Sequence, residues 1–192
     1  LDALATSETG ESTHLVVRKF LTAQAIMLSL QGVPAIYFHS LFGSRGDRAG
    51  AERSGIPRRI NRQKLDRRQL EVELADPHSL RHQVFGEYQR LLTMRRAHRA
   101  FAPDIPQRVL DLDPHVFAVV RQSTHASDGV LCLHNVSAVP VRLGLPAEAV
   151  AGRPNLSASW SNGASAGEPT GGRYELELGP WQSVWLNYGD TK

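Results

Sequence analysis

The sequence predicts an α/β segment over residues 1–99 followed by a small antiparallel β domain over residues 100–192. Three observations carry this. Residues 12–30, "STHLVVRKFLTAQAIMLSL", have the apolar spacing of a helix. A short apolar run, "VPAIYF", follows directly after Gln31-Gly32. Beyond Phe101-Ala-Pro-Asp, short strand-like runs recur between Gly, Pro, Asp and Asn residues, as in a β-sandwich or small barrel.

Each element has its own local reason. Ser12 or Thr13 can cap the first helix, and Gly32 can end it. Leu15, Val16, Phe20, Ala23, Ile26, Met27 and Leu30 cover more than one stripe of it, so it needs cover on several sides. "VPAIYF" does not alternate, which fits a strand buried on both faces, with Pro34 tolerated at its start. Residues 39–64 lack periodicity and contain Gly43, Gly46, Gly50, Gly55 and Pro57, a long loop. A short helix is expected from Leu65 to Ala75. Asp76-Pro77 opens another that runs to about His98, with Leu80, Val84, Tyr88, Leu91 and Leu92 inward and Arg81, Gln83, Glu87 and Arg90 toward water. The strand-like runs are "QRVLDL", "VFAVVRQ", "GVLCLHNVS", "PVRLGLP", "RYELELG" and "SVWLNY". Residues 151–172, rich in Ser, Gly, Pro and Asn, read as a long turn.

Composition narrows the function classes. The chain has 192 residues, enough for one or two domains. Its net charge is +3, but residues 45–68 hold nine Arg or Lys against Asp47, Glu52 and Asp66, a local +6 that leaves −3 elsewhere. Cys132 is the single cysteine, so no intrachain disulfide forms. It reads as a small core residue, consistent with a reducing, cytoplasmic setting. The sequons at Asn135 and Asn155 read as chance matches. The most apolar window, Phe20 to Leu30, is about half a membrane span, so no membrane segment is expected.

The motifs are weak taken singly. "GSRGDRAG" lacks both the P-loop ending and the dinucleotide-turn spacing. "RSGIPRRINRQKLDRR" could be a nucleic-acid patch, a solvated face, or a site where forked guanidinium groups hold a phosphate or carboxylate. Few aromatics interleave its basic residues for base stacking. Asp47 and Glu52 have no spacing that marks a carboxylate pair. Apart from His78 and His82, at i,i+4 on an expected exposed helix face, the histidines show no metal-ligand spacing, and no metal or cofactor is expected. Trp181 and Trp185 flank Val184 and Leu186 and read as β-domain core residues before they read as a sugar platform.

"LSLQGVPAIYFHSLFGSRGD", "RRINRQKLD", "LEVELADPHSLRHQVFGEYQRLLTMRRAHRAF" and "VLCLHNVS" together resemble the C-terminal part of family-thirteen glycoside hydrolases, the α-amylase superfamily, in its sucrose-phosphorylase-like subfamily. The resemblance implies the last strand and helices of a (β/α)8 barrel followed by a small antiparallel β-sandwich domain. Residues 12–30 would be the seventh barrel helix, 33–38 the eighth strand and 77–98 the eighth helix. The loop after that strand would face the sugar pocket, since barrel enzymes react at the C-terminal ends of their strands.

It also implies a retaining α-glucosyl phosphorylase that uses a sugar substrate and inorganic phosphate. Sucrose, sucrose 6-phosphate or glucosylglycerate would yield glucose 1-phosphate. The nucleophile, acid/base and transition-state carboxylates of such enzymes come from earlier strands, so no residue here inherits those roles and the chain alone is expected to be inactive. Arg62 matches the family arginine that pairs with an aspartate at the floor of the glucosyl subsite, with Asn61 beside it. His39 lies in a "YFHS" setting at the pocket rim. Asp47 follows Gly46 where relatives tend to have Asn-Asp, which leaves its role open.

A hydrolase or transglucosylase of the same superfamily is the alternative. A non-catalytic carbohydrate- or nucleic-acid-binding module is the alternative of another class. The apolar helix 12–30 requires cover, from the rest of a barrel or from self-association.

Overall fold

A computed structural model describes residues 1–4, 10–123, 129–145, 156–170 and 173–189. The Asn155 sequon and His125 lie outside them. The chain divides into two compact units, residues 1–21 with 35–89 and residues 22–34 with 90–192. Two helices cross between them in sequence.

The first unit is helical. Helix α1 (Thr13–Ser29) begins where Ser12 accepts from the Leu15 amide, through Oγ at 3.3 Å and through its carbonyl at 3.0 Å. Its buried apolar residues are Val16, Val17, Phe20, Leu21, Ala25 and Leu28, a face rotated from the expected one. The expected loop 39–64 is largely short helices: α2 (Phe38–Leu41), α3 (Arg48–Ser54) and a 3₁₀ turn at Pro57–Asn61. Aspartate side chains start two helices. Asp47 accepts from the Gly50 amide at 2.8 Å to cap α3, and Asp66 from the Gln69 amide at 2.9 Å to cap α4 (Arg67–Ala75). Helix α5 (Leu80–Ala97) starts later than expected. Asp76 shapes the preceding turn, and the Ser79 hydroxyl takes the His82 amide at 3.0 Å.

The expected buried strand at 33–38 is absent. Val33 is 81% exposed, Tyr37 and Phe38 are about half exposed, and Phe38 already belongs to α2. A strand buried on both faces needs hydrogen-bonded neighbours on each side. No described residue supplies one, and the strand pairs that do form are antiparallel pairs among residues 107–188.

Those strands make the second unit a sandwich. They are β1 (Gln107–Asp113), β2 (Val116–Gln122), β3 (Gly129–Asn135), β4 (Val141–Leu145), β5 (Leu156–Ser161), β6 (Ser165–Thr170), β7 (Arg173–Leu178) and β8 (Ser183–Tyr188). One sheet runs β1-β2-β3-β8-β5 and the other β4-β7-β6. All six expected strands form. The stretch expected to be a long turn instead holds β5 and β6, joined through Asn162-Gly163 with Gly163 at φ 118°.

Register explains the burial. Val120, Leu131 and Leu186 lie side by side and enter the core with Leu143, Leu145, Leu176 and Leu178 of the smaller sheet. Val119, Cys132 and Trp185 lie side by side on the opposite face, and all three are buried too. That face meets Phe101, whose ring centroid is 4.7 Å from that of Trp185, and the C-terminal end of α1. β3 is therefore buried at every position, which is why "GVLCLHN" does not alternate. Trp185 belongs to this core as expected. Trp181 does not: it is partly exposed, at φ 55°, and its carbonyl accepts from Thr22.

Candidate functional site

The sequence places arginines, glycines and small polar residues between Phe38 and Lys64, and the local folding of that stretch decides which of them meet. α2, the turn after it and the 3₁₀ turn border a cleft of 620 Å³ within the first unit. His39, Ser44, Arg45, Asn61 and Arg62 line it, with Tyr37 and Phe20 on its apolar side. The Tyr37 hydroxyl donates to the Asn61 carbonyl at 2.6 Å, which ties the start of α2 to the end of the 3₁₀ turn. Gly43, at φ 56°, packs so closely on α5 that a Cβ there would lie 2.8 Å from Val84 Cγ2. Both the backbone angle and the contact exclude a side chain at that point of the wall.

Three of the four residues singled out from sequence come together here: His39, Asn61 and Arg62. Arg62 is exposed and also lines an adjoining groove of 370 Å³ with Arg53, Arg59 and Lys64. Asp47 lines that groove and not the cleft. Its carboxylate is engaged as the α3 cap and its amide donates to the Ile60 carbonyl at 2.8 Å. The geometry gives Asp47 a role in folding the loop.

Sequence reading missed two participants. The Asp2 carboxylate accepts from the Gly46 amide at 2.8 Å and from Arg45 at 3.2 Å inside the cleft, so a carboxylate fits this part of the wall. Arg81, expected to face water, has a side chain only 14% exposed. It ion-pairs with Glu73 and donates to the Phe42 carbonyl at 3.2 Å and the Ser44 hydroxyl at 3.0 Å. Hydrogen bonds from Gln69 and from Arg81 hold Glu73 below the usual carboxylate range. The i,i+4 pairing of Gln69 with Glu73 and the basic residue on the next helix were visible in sequence. The carbonyl they brace was not.

The arrangement offers hydrogen-bond donors and positive charge to an oxygen-rich ligand. Among the described residues no group of three or more His, Cys, Asp or Glu could hold a metal ion.

No protein-family model matches the chain. Solved structures share its fold. Trehalose-6-phosphate hydrolase from Bacillus licheniformis superposes with a TM-score of 0.66 at 16% identity, over 98% of this chain and 41% of that one. The α-amylase from H. orenii gives 0.65 at 17% identity, over 91% and 36%. The fold is thus that of the C-terminal part of α-amylase-superfamily enzymes, helices followed by an antiparallel β-sandwich.

Sequence carries the relationship further. The chain is 40% identical over 190 residues to glucosylglycerate phosphorylase from Spirochaeta thermophila and 37% identical over 185 residues to that from Allomeiothermus silvanus, covering 97% and 96% of itself. Along nearly its whole length the chain is thus related to a portion of the glucosylglycerate phosphorylases, and its fold is the one found in α-amylase-superfamily enzymes. It spans about a third of the length of these curated relatives, 32% and 30%.

Proposed function

We propose that the chain supplies the wall of the sugar pocket formed by residues 37–64, and the β domain that supports it, in a retaining α-glucosyl phosphorylase acting on glucosylglycerate. The observation that carries this is the 37–40% identity to glucosylglycerate phosphorylases along nearly the whole chain. In this reading residues 1–99 complete a (β/α)8 barrel and 100–192 form its C-terminal domain. Arg62 and Asn61 hold the glucosyl unit, His39 stands at the rim, and the basic loop draws in phosphate and the glycerate carboxylate. The reacting carboxylates come from outside this chain, so the 192 residues alone do not turn over substrate. The enzyme is a glycosyltransferase of the sugar phosphorylase type, working in the cytoplasm.

The deciding experiment measures glucose 1-phosphate release by the intact enzyme from glucosylglycerate, sucrose and sucrose 6-phosphate. Phosphate-dependent release from glucosylglycerate is expected. Release from sucrose 6-phosphate alone overturns the substrate, and phosphate-independent glucose release overturns phosphorolysis in favour of hydrolysis. In the same assay Arg62→Ala is expected to lose most glucosyl transfer. Near-normal turnover rejects the assignment. Steeply salt-dependent DNA binding by the basic loop would favour the nucleic-acid reading instead.

A further inference from the structure

Ser44 sits between two groups of different hydrogen-bonding character. Its Oγ lies 3.0 Å from Arg81 Nη1 and 3.1 Å from His39 Nδ1. A guanidinium has donors only, so the Ser44 oxygen accepts from Arg81. The hydroxyl hydrogen is then left for one acceptor. Among the described residues the other side-chain atom at hydrogen-bond distance is His39 Nδ1. A neutral imidazole carries its hydrogen on one nitrogen and a lone pair on the other. A Ser44 hydroxyl donating into Nδ1 therefore leaves the ring hydrogen on Nε2.

We infer that Glu73, Arg81 and Ser44 form a relay that sets the tautomer of His39, so that the ring offers an Nε2–H donor to the cleft. The bonds run in one direction: Arg81 is held by Glu73, donates to Ser44, and Ser44 donates to His39. The geometry around the ring keeps it in place. The Ser44 amide donates to the His39 carbonyl at 2.9 Å, Arg81 also holds the Phe42 carbonyl, and the rings of Tyr37 and Phe38 each lie 5.4 Å from the imidazole. Ser44 and Arg81 are positioning residues. The ligand atom that meets His39 must be an acceptor, such as a hydroxyl, carboxylate or phosphate oxygen. The tautomer stands independently of the proposed activity; only the sugar or glycerate identity of that acceptor rests on it.

The test reads the tautomer directly. Long-range ¹H–¹⁵N NMR of the full ¹⁵N-labelled chain, at a pH about two units above the ordinary imidazole value of about 6.5, distinguishes the two forms. The His39 signals are those lost in His39→Gln. The wild type should show a single Nε2–H form. Ser44→Ala should lose that single-form signature, and Ser44→Thr, which keeps the hydroxyl, should retain it. An Nδ1–H form in the wild type overturns the relay whatever the variants do, and so does an unchanged signature in Ser44→Ala. No turnover is measured, so a failure of the phosphorylase reading leaves this result readable.

Discussion

His134 ends a chain of hydroxyls inside the sandwich. Ser183 Oγ lies 3.0 Å from its Nδ1 and donates to Thr22 Oγ1 at 3.2 Å, and Thr22 donates to the Trp181 carbonyl at 2.7 Å. With both hydroxyl hydrogens directed that way, the imidazole donates Nδ1–H to Ser183. Its Nε2 is buried with no partner among the described residues. A proton there would bring an uncompensated charge into the core, and burial pushes the pKa down to about 3. Above the unfolded value of about 6.5 both states are neutral and stability is at its full value. As pH falls below it, the unfolded chain binds a proton that the folded chain refuses. Stability drops until about pH 3, by at most ~1.4 kcal/mol per pH unit. Urea denaturation between pH 7 and 4 should show a shallower acid loss in His134→Gln, and an equal slope rejects the role. Cys132, its neighbour but one on β3, is fully buried, and burial pushes its thiol well above the ordinary value, as suits a core residue. Asn135 is fully buried too. Its amide donates to the Val139, Leu178 and Gly179 carbonyls at 2.7, 3.2 and 2.9 Å, which makes the sequon there a chance match.

Helix α1 shows how much an element can owe to distant side chains. The last carbonyls of a helix lack intrahelical partners. Here Arg95 donates to the Leu28 and Gly32 carbonyls, and Arg121 to that of Ser29 at 3.0 Å. Arg121 also holds the Ala102 and Ile105 carbonyls at 3.0 and 2.9 Å. Both guanidinium groups lie over the Phe101 ring, 5.3 and 5.9 Å from its centroid. The carbonyl end of a helix favours positive charge, which offsets part of the cost of burying them. Arg121→Leu strands three carbonyls and is expected to destabilise the fold by at least ~3 kcal/mol, read as a fall in the urea midpoint. A shift within ~0.5 kcal/mol, the ordinary range for a surface site, would mean the clamp contributes nothing. Neither arginine stands out in sequence. "MRRAHR" and "VVRQ" look like solvated termini because the accepting carbonyls come mostly from far along the chain. The turn that carries the chain from β5 in one sheet to β6 in the other was legible in principle: Asn-Gly between short runs is a turn signal, obscured here by serines on both sides.

Across the whole molecule, apolar surface is covered unevenly. Of the α1 stripe thought to need outside cover, Val16 and Phe20 are buried, while Leu15, Ala23, Ile26, Met27 and Leu30 are only partly so. Exposed large apolar groups are scattered at Leu4, Ile56, Val72, Val109, Val136 and Val139 but cluster on 33–38 as Val33, Tyr37 and Phe38, with Phe38 54% exposed. Exposed aromatics on an unpaired segment favour association. The isolated chain is expected to self-associate with rising concentration, and Phe38→Lys to weaken this, measured by sedimentation velocity. Equal association constants in the two proteins would place the contact elsewhere. No helix among the described residues is long and apolar enough to cross a membrane.

Local pattern was enough for the principal helices and six of the strands, because spacing and turn chemistry act over a few residues, while the grouping of His39, Asn61 and Arg62 came from the family resemblance. Tertiary structure alone decided that "VPAIYF" forms no strand and that Arg81, Arg95 and Arg121 turn inward. Each of those outcomes depends on a partner supplied by another element, or on the lack of one. A strand requires a neighbouring backbone, and a buried guanidinium requires acceptors already in place. No residue type announces in advance which carbonyl will be waiting for it.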